Sequence, residues 1–341
     1  MSPRPIVASV VLPMRNAERY LRLSIESILA QTFRELELVI VDDGSTDGSA
    51  AIADEYASRD ARVRVLRLPQ SGLSHALNAG VAASKGWYVA RMDADDIAHP
   101  DRLRKQVAFL NATPSCVLVG TSIEVIDAVG GSLGTRYFAE DHEEIVDEML
   151  HGTFAISHPT VLMRRSAFDA AGGYDQAMYP SDDFALWLRM GKSGRLANLR
   201  EPLLRYRRHE QAVSVLNRPL HHELTLRIVN AARIDRGLAP LRSRVPSSPA
   251  SVDAWYHFDC ARFALTGGTR WDAVRHLFKT LALAPRWLEV YAVLFACLLP
   301  RPLLFAALAM RARLRAPAGV ATASSTRGAK TVDVAKACEG Q

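Results

Sequence analysis

Cysteine is scarce in this sequence: Cys116, Cys260, Cys297 and Cys338 are the four in a chain of 341 residues. No two of them stand at CxxC or zinc-ligand spacing. Neither a disulfide framework nor a structural zinc is expected, and the thiols read as reduced, buried groups in a cytosolic setting. A chain of this length buries a core without such staples. A leader segment is missing as well. The opening MSPRPIVASVVLP has too short an apolar run for a signal peptide, is interrupted by Pro5, and has no small-residue cleavage site behind it. Glycine-rich phosphate loops are also absent. The first apolar run leads into Leu12-Pro13-Met14-Arg15-Asn16 rather than GxGxxG, and no GxxxxGK[ST] occurs anywhere. A dinucleotide Rossmann site and a P-loop are thereby excluded. A phosphatase with an aspartyl nucleophile would carry two aspartates at the end of the first strand, and none stands there.

The remaining composition is that of a globular protein, 49% hydrophobic and 23% charged. The formal net charge is +6, but the excess forms no dense run until the last third, where Arg301, Arg311, Arg313 and Arg315 flank an apolar stretch. That placement favours an anionic membrane surface over nucleic acid. Trp287–Leu299 is apolar apart from Glu289, is cut by Pro300-Arg301-Pro302, and resumes over Leu303–Met310. Spanning a bilayer takes about 20 apolar residues, so contact with one leaflet, or packing against the protein, is the expectation. The composition suggests three parts: residues 1–240 as the main domain, 250–312 as a helical region with apolar helices, and 313–341 as a disordered tail rich in Ala, Gly, Ser and Thr. Within the helical region, Trp255–Leu265 and Trp271–Leu283 read as a helical hairpin behind a Pro/Ser/Arg-rich linker over Leu241–Ser251.

The first half alternates short apolar runs with helical periodicity. Strands are expected at Val7–Leu12, Leu36–Val41, Val63–Leu66, Trp87–Met92 and Val117–Glu124. Helices fall between them over 17–30 with Asn16 as N-cap, 49–58, 73–83 and 102–111. This order predicts an α/β protein with a doubly wound sheet. Later segments suggest a helix over Glu143–Leu150, a strand over His158–Met163 and a helix over Asp183–Lys192. In open α/β sheets ligands bind at the carboxyl ends of strands. Here the second strand ends at Asp42-Asp43 and the fourth at Asp93-Ala94-Asp95-Asp96. Either cluster alone reads as a solvated loop. Two of them, each fused to a strongly apolar strand, read as a site for Mg²⁺ or Mn²⁺, hard ions that take oxygen ligands and bridge phosphates. Asp93 and Asp95 are one residue apart, so in extended geometry both side chains point the same way.

Ordered motifs add a resemblance. Ser9-Val10-Val11-Leu12-Pro13-Met14-Arg15-Asn16, Gln31-Thr32-Phe33 and Glu37-Leu38-Val39-Ile40-Val41-Asp42-Asp43-Gly44-Ser45-Thr46-Asp47 come first. Gly72-Leu73-Ser74, Leu77-Asn78-Ala79-Gly80, Met92-Asp93-Ala94-Asp95-Asp96, Arg102-Leu103-Arg104-Lys105-Gln106 and His158-Pro159-Thr160-Val161 follow in order. Together they resemble glycosyltransferase family 2, inverting enzymes of GT-A fold, over roughly residues 6–215. The resemblance implies a nucleotide-diphosphate sugar donor, UDP- or dTDP-linked, and a glycan or lipid-linked acceptor, as in polysaccharide and cell-envelope synthesis. With the basic, apolar C-terminus, it points to a protein that is cytoplasmic or associated with the inner face of the cytoplasmic membrane. Asp43 would contact the nucleobase, with Pro13 and Asn16 lining the cleft. Asp93 would meet ribose or metal, and Asp95 would be the principal metal ligand. The segment Ser181-Asp182-Asp183-Phe184-Ala185-Leu186-Trp187 matches the family's acidic pair before Leu-Trp, with Asp183 or Asp182 as catalytic base. Asp182 stands where glutamate is usual, and Ala185 where a second aspartate is frequent. Tyr206-Arg207-Arg208-His209, with Ser214 beyond, resembles the late loop over the diphosphate, so that Arg207 would clamp phosphate and His209 add a metal ligand. His158 is expected as a structural histidine or an acceptor contact, and His75 as a solvent-facing residue. Two rivals remain: a nucleotidylyltransferase, against which Leu12–Arg19 lacks glycine, and an inactive glycan-binding module, against which the aspartates are intact.

Overall fold

The computed structural model describes residues 6–211, 218–241, 252–267 and 269–297. Met1–Cys297 forms one compact unit and Leu298–Gln341 another. The second unit lies outside the described residues, and with it the expected tail, the C-terminal arginines and the apolar stretch 303–310. Most of the 241–251 linker and Ser214 lie outside as well.

Strands β1 (Ala8–Met14), β2 (Leu36–Asp43), β3 (Val63–Leu68) and β4 (Tyr88–Arg91) run parallel, in the order β3-β2-β1-β4. Helices α1 (Glu18–Leu29), α2 (Ser49–Arg59) and α3 (Leu73–Ala83) connect them. Both faces of β1 and β2 are buried, which is why these strands read as continuous apolar runs. Alternate side chains divide the core in two. Val10, Leu12, Leu38 and Ile40 pack with Leu21, Ile25 and Ile28 of α1 on one face. Val11, Val39 and Val41 pack with Leu77 and Val81 of α3 on the other. Each such aliphatic side chain contributes about 1.5–3 kcal/mol by leaving water. At Gly80 α3 presses directly on the sheet: a Cβ there would stand 2.5 Å from Val11 Cγ1 and 2.8 Å from Val41 Cγ2.

Beyond β4 the sheet becomes mixed. β8 (Leu162–Arg164) is antiparallel to both β4 and β6 (Cys116–Ile126), and β6 pairs in parallel with the long β9 (Arg195–Arg207). Short β5 (Ile97–Ala98) and β7 (Ser132–Arg136) join β9 and β6. The other helices are α4 (Arg102–Ala112), α5 (His142–Leu150), α6 (Arg165–Ala170), α7 (Asp182–Ser193), α8 (Arg218–Ile234), α9 (Val252–Gly267), α10 (Arg270–Leu283) and α11 (Leu288–Ala296). Tyr256, Leu277 and Val290 of the last three share a core with the sheet. Cys116, Cys260 and Cys297 are free and buried. No helix among the described residues is long and apolar enough to cross a membrane.

Two local expectations are corrected. Asn16 is not the N-cap of α1. It takes φ +51°, and its side-chain oxygen accepts from Thr46 N at 2.8 Å. The first N–H groups of the helix are met from the next loop instead, Ala17 N by Ser49 Oγ and Glu18 N by Asp47 Oδ2. The segment 158–163 is not all strand: His158–Thr160 is a turn of 3₁₀ helix. Buried Arg102 and Gln106 of α4 take the Pro159 and Thr160 carbonyls at 2.9 and 2.7 Å, satisfying them outside any strand ladder.

Candidate active site

The carboxyl ends of β1, β2 and β4 open on one edge of the sheet, and the expected aspartates gather there. Asp43 closes β2. Its carboxylate accepts from Ser71 N (2.7 Å), Ser71 Oγ (2.8 Å) and Gly72 N (2.9 Å), fixing the loop that enters α3. Gly72 has φ +93°, a backbone state that suits glycine. A carboxylate offers about four acceptor positions, so room for a further donor remains. Pro13 is buried in register with Val41, and exposed Asn16 braces the 45–46 turn.

The loop after β4 holds three carboxylates. Oxygens of Asp93, Asp95 and Asp96 lie within 4.8 Å of one another. Arg91 Nη1 donates to Asp93. His209 Nε2 stands 2.7 Å from Asp95 Oδ2. Asp96 is fully buried; its Oδ1 accepts from Arg207 N at 2.8 Å, and its Oδ2 has no hydrogen-bond partner among the described residues. Burial, then the neighbouring carboxylate Asp95, pushes Asp96 well above the usual range. Burial pushes Asp93 up to about 6 against the pull of Arg91. Crowded carboxylates that resist ionisation, one with an orphaned oxygen, plus an imidazole nitrogen, form a donor set suited to a hard divalent cation. The residues therefore fit the ion that the fold implies.

The second acidic pair opens α7. Asp182 is 2% exposed and accepts from Ser74 Oγ of α3 at 2.6 Å. Asp183 has 14% of its side chain exposed. Its Oδ1 accepts from Phe184 N at 2.7 Å, and its Oδ2 lies 3.8 Å from His158 Nδ1. Burial, then the charge of Asp182, raises Asp183 to about 7. His158 hydrogen-bonds Tyr174 OH at 2.9 Å, and burial drives its proton affinity well below the histidine norm, so this imidazole is neutral. The charge of Arg91 acts on both Asp93 and Asp183. Three local contacts stand at this edge: Asp43 with Ser71-Gly72, Asp182 with Ser74, and Asp95 with His209.

Arg207, expected as a phosphate clamp, is bonded to backbone carbonyls of the loops around the aspartates. It is 3% exposed, its Nε donates to Asp95 O at 2.8 Å, and its Nη1 reaches Asp127 O and Ala128 O at 3.3 and 3.4 Å. Its guanidinium also stacks 4.6 Å from the Tyr20 ring, which in turn faces His209. Arg207 thus ties the metal-type loop to the sheet. His75 lines a surface cavity of about 520 Å³ with Asn78, Tyr174, Gln176 and Arg189. Sequence reasoning passed over Arg91, Tyr20, Ser74 and Tyr174. Only Arg91 left a signal, a cation inside an apolar strand immediately before the aspartates.

A mixed open sheet with an Asp-x-Asp loop at its carboxyl edge is the arrangement of a glycosyltransferase of GT-A fold. The model of "Glycosyl transferase family 2" matches residues 9–172. An uncharacterized glycosyltransferase of Haemophilus influenzae is 34% identical over 62% of this chain and 69% of its own length. The putative glycosyltransferase EpsE of Bacillus subtilis is 37% identical over 60% of this chain and 74% of its own. The O-antigen biosynthesis glycosyltransferase WbnJ of Escherichia coli is 31% identical over 60% and 80%. The chain belongs to glycosyltransferase family 2. Two solved structures share the fold at low identity. S. aureus TarS 1–349 in complex with UDP-GlcNAc has TM-score 0.55 at 20% identity, covering 89% of this chain and 87% of that one. The mannosyltransferase PcManGT of Pyrobaculum calidifontis, in complex with GDP-Man and Mn2+, has TM-score 0.52 at 18% identity, covering 92% and 81%.

Proposed function

We propose that this glycosyltransferase moves a sugar from a UDP- or dTDP-sugar to a hydroxyl of a glycan or glycolipid, with inversion, in a single displacement. The observation that carries this reading is Asp183. It is a partly open carboxylate raised to about 7, backed by a neutral imidazole and, like Asp93 of the Asp-x-Asp loop, under the charge of Arg91. An attacking hydroxyl must lose its proton as the glycosidic bond forms, and a base poised near neutral pH is matched to that task. Asp183 accepts that proton. Asp182, held by Ser74, positions the helix start and keeps Asp183 basic through its charge. No covalent intermediate with the enzyme is required.

Asp95, Asp93 and His209 would hold Mn²⁺ or Mg²⁺, with Asp96 behind them. Bound there, such an ion neutralises the charge that builds on the departing diphosphate. Asp43 accepts from the nucleobase through its remaining acceptor positions, and Pro13 and Asn16 line that cleft. The C-terminal helices touch an anionic membrane surface where lipid-linked acceptors are presented. Exposed Leu288, Tyr291 and Phe295 on one face of α11, with Arg286 beside it, support this contact. Calorimetry with UDP, with and without Mn²⁺, tests the donor site, and metal-dependent binding is expected. A screen of nucleotide sugars for hydrolysis then identifies the donor, and a protein inert to all UDP- and dTDP-sugars refutes the reading. Flotation with anionic liposomes tests the membrane contact: a form ending at Pro285 should stay soluble while the full chain floats.

A further inference from the structure

His209 lies two residues past the last ladder residue of β9, so the sheet alone does not hold it over Asp95. Residues of the C-terminal helical hairpin, α9 and α10, add to the Arg208 N–Ile126 O bond (2.8 Å) and the Tyr20 ring in placing it. Buried Arg208 reaches Asp259 of α9, with Nη2 3.1 Å from Oδ2. Its carbonyl accepts from Tyr256 OH, one turn earlier on the same helix, at 3.2 Å. A second thread starts on α10. Arg275 Nη2 is 3.5 Å from Asp127 Oδ2, and the other oxygen of Asp127 closes the β6–β7 turn by accepting from Val129 N and Gly131 N. The carbonyls of Asp127 and Ala128 receive Arg207 Nη1, whose Nε holds the Asp95 carbonyl. The first thread ends on Arg208, the chain neighbour of His209, and the second on the carbonyl of Asp95.

We propose that the α9–α10 hairpin is a clasp that completes the cation site, with Asp259, Tyr256 and Arg275 as positioning residues that act through Arg208 and Asp127. This rests on the metal reading above. Removing one member of a buried charge pair leaves the other uncompensated, and the segment it anchored loses its place. The clasp is therefore expected to govern affinity for the ion and not the chemistry of the base.

The test uses the full chain and reads UDP binding by calorimetry, with and without Mn²⁺. Asp259→Asn is expected to weaken the Mn²⁺-dependent component about tenfold and leave metal-free UDP binding unchanged. In turnover the Mn²⁺ concentration for half-maximal rate rises, while kcat at saturating Mn²⁺ stays within about twofold. Exchanging the charges, Asp259→Arg with Arg208→Asp, restores part of the loss. Tyr256→Phe and Arg275→Gln keep the packing, and each shifts Mn²⁺ affinity about threefold, so the proposal stays testable if Asp259→Asn does not fold. Hydrogen exchange over residues 206–209 should quicken in all three. Wild-type protein that binds UDP without regard to Mn²⁺ refutes the metal reading itself. Metal-dependent wild-type binding with unchanged Mn²⁺ affinity in Tyr256→Phe and Arg275→Gln refutes the clasp alone.

Discussion

The two acidic pairs, Asp95-Asp96 after β4 and Asp182-Asp183 at the start of α7, are built on one plan with opposite results. In each, one carboxylate is buried and bonded into the framework: Asp96 to the amide of Arg207, Asp182 to the hydroxyl of Ser74. In each, the other faces the opening. The difference is in what faces it there. Asp95 meets the imidazole nitrogen of His209 at 2.7 Å with two further carboxylates close by, a cluster that gathers negative charge for a cation. Asp183 meets a neutral histidine at 3.8 Å, has no cation in hydrogen-bond contact among the described residues, and is raised to about 7. On the proposed reading, identical side chains are divided between holding a metal and moving a proton, and the division is made by their neighbours.

The sharpest way to break this comparison is to remove each exposed carboxylate in turn. Asp95→Ala should abolish Mn²⁺-dependent UDP binding, lowering affinity by a factor of about 100 or more, and transfer should be lost with it. Asp183→Asn should lower kcat by a factor of about 10²–10⁴ while UDP and Mn²⁺ still bind within twofold. The same variant carries a stability signature. Asp183 is raised above its unfolded value, so its ionisation opposes folding; the penalty is complete above about pH 7 and gone below about pH 4. Asp183→Asn should thus be more stable than wild type at pH 8, by on the order of 2–4 kcal/mol, with the gain vanishing at pH 4. Thermal melts at the two pH values check this. An Asp183→Asn protein that turns over normally removes Asp183 as the base.

The pH–rate profile comes next in size. With Asp183 required ionised, kcat should fall about tenfold per pH unit below an apparent pKa near 7, and level off above it. Burial holds the proton affinity of His158 well below the histidine norm, so no second limb is expected from it. A flat profile between pH 5 and 8 contradicts the assignment.

The sequence made the first half of this site legible, for a physical reason. β1, β2 and β4 are apolar runs buried on both faces, and each ends where polar residues begin. The edge of the sheet, and the aspartates on it, could therefore be read from local pattern alone. The mixed half could not be read so easily. β9 finds β6 across more than seventy residues, in a parallel register broken by irregularities, and no local period announces such a partner. His209 over Asp95 came from family likeness rather than spacing. Arg207 also came from likeness, as a phosphate clamp; its contacts to the carbonyls of Asp95, Asp127 and Ala128 could not be read from the sequence. Asn16 failed as a helix cap because the groups that satisfy α1 come from the 47–49 turn, which becomes its neighbour only in the folded sheet. The split between Asp182 and Asp183 was equally invisible, since it depends on Ser74, more than a hundred residues away.

That serine supports the smallest and most discriminating prediction. Ser74→Ala removes the donor that favours the charged form of Asp182, so Asp182, already raised by burial, rises further and spends more time protonated at neutral pH. The charge of Asp182 is one of the causes that lift Asp183. Loss of a remote hydroxyl should therefore lower the apparent pKa of the base, moving the acid limb of the rate profile down by roughly half a pH unit. Stability should fall by about 1–2 kcal/mol from the lost buried hydrogen bond. Simple loosening of α7 would lower kcat at every pH and leave the limb in place. A downward shift of the limb is the result that separates electrostatic coupling within the pair from mere support of the helix.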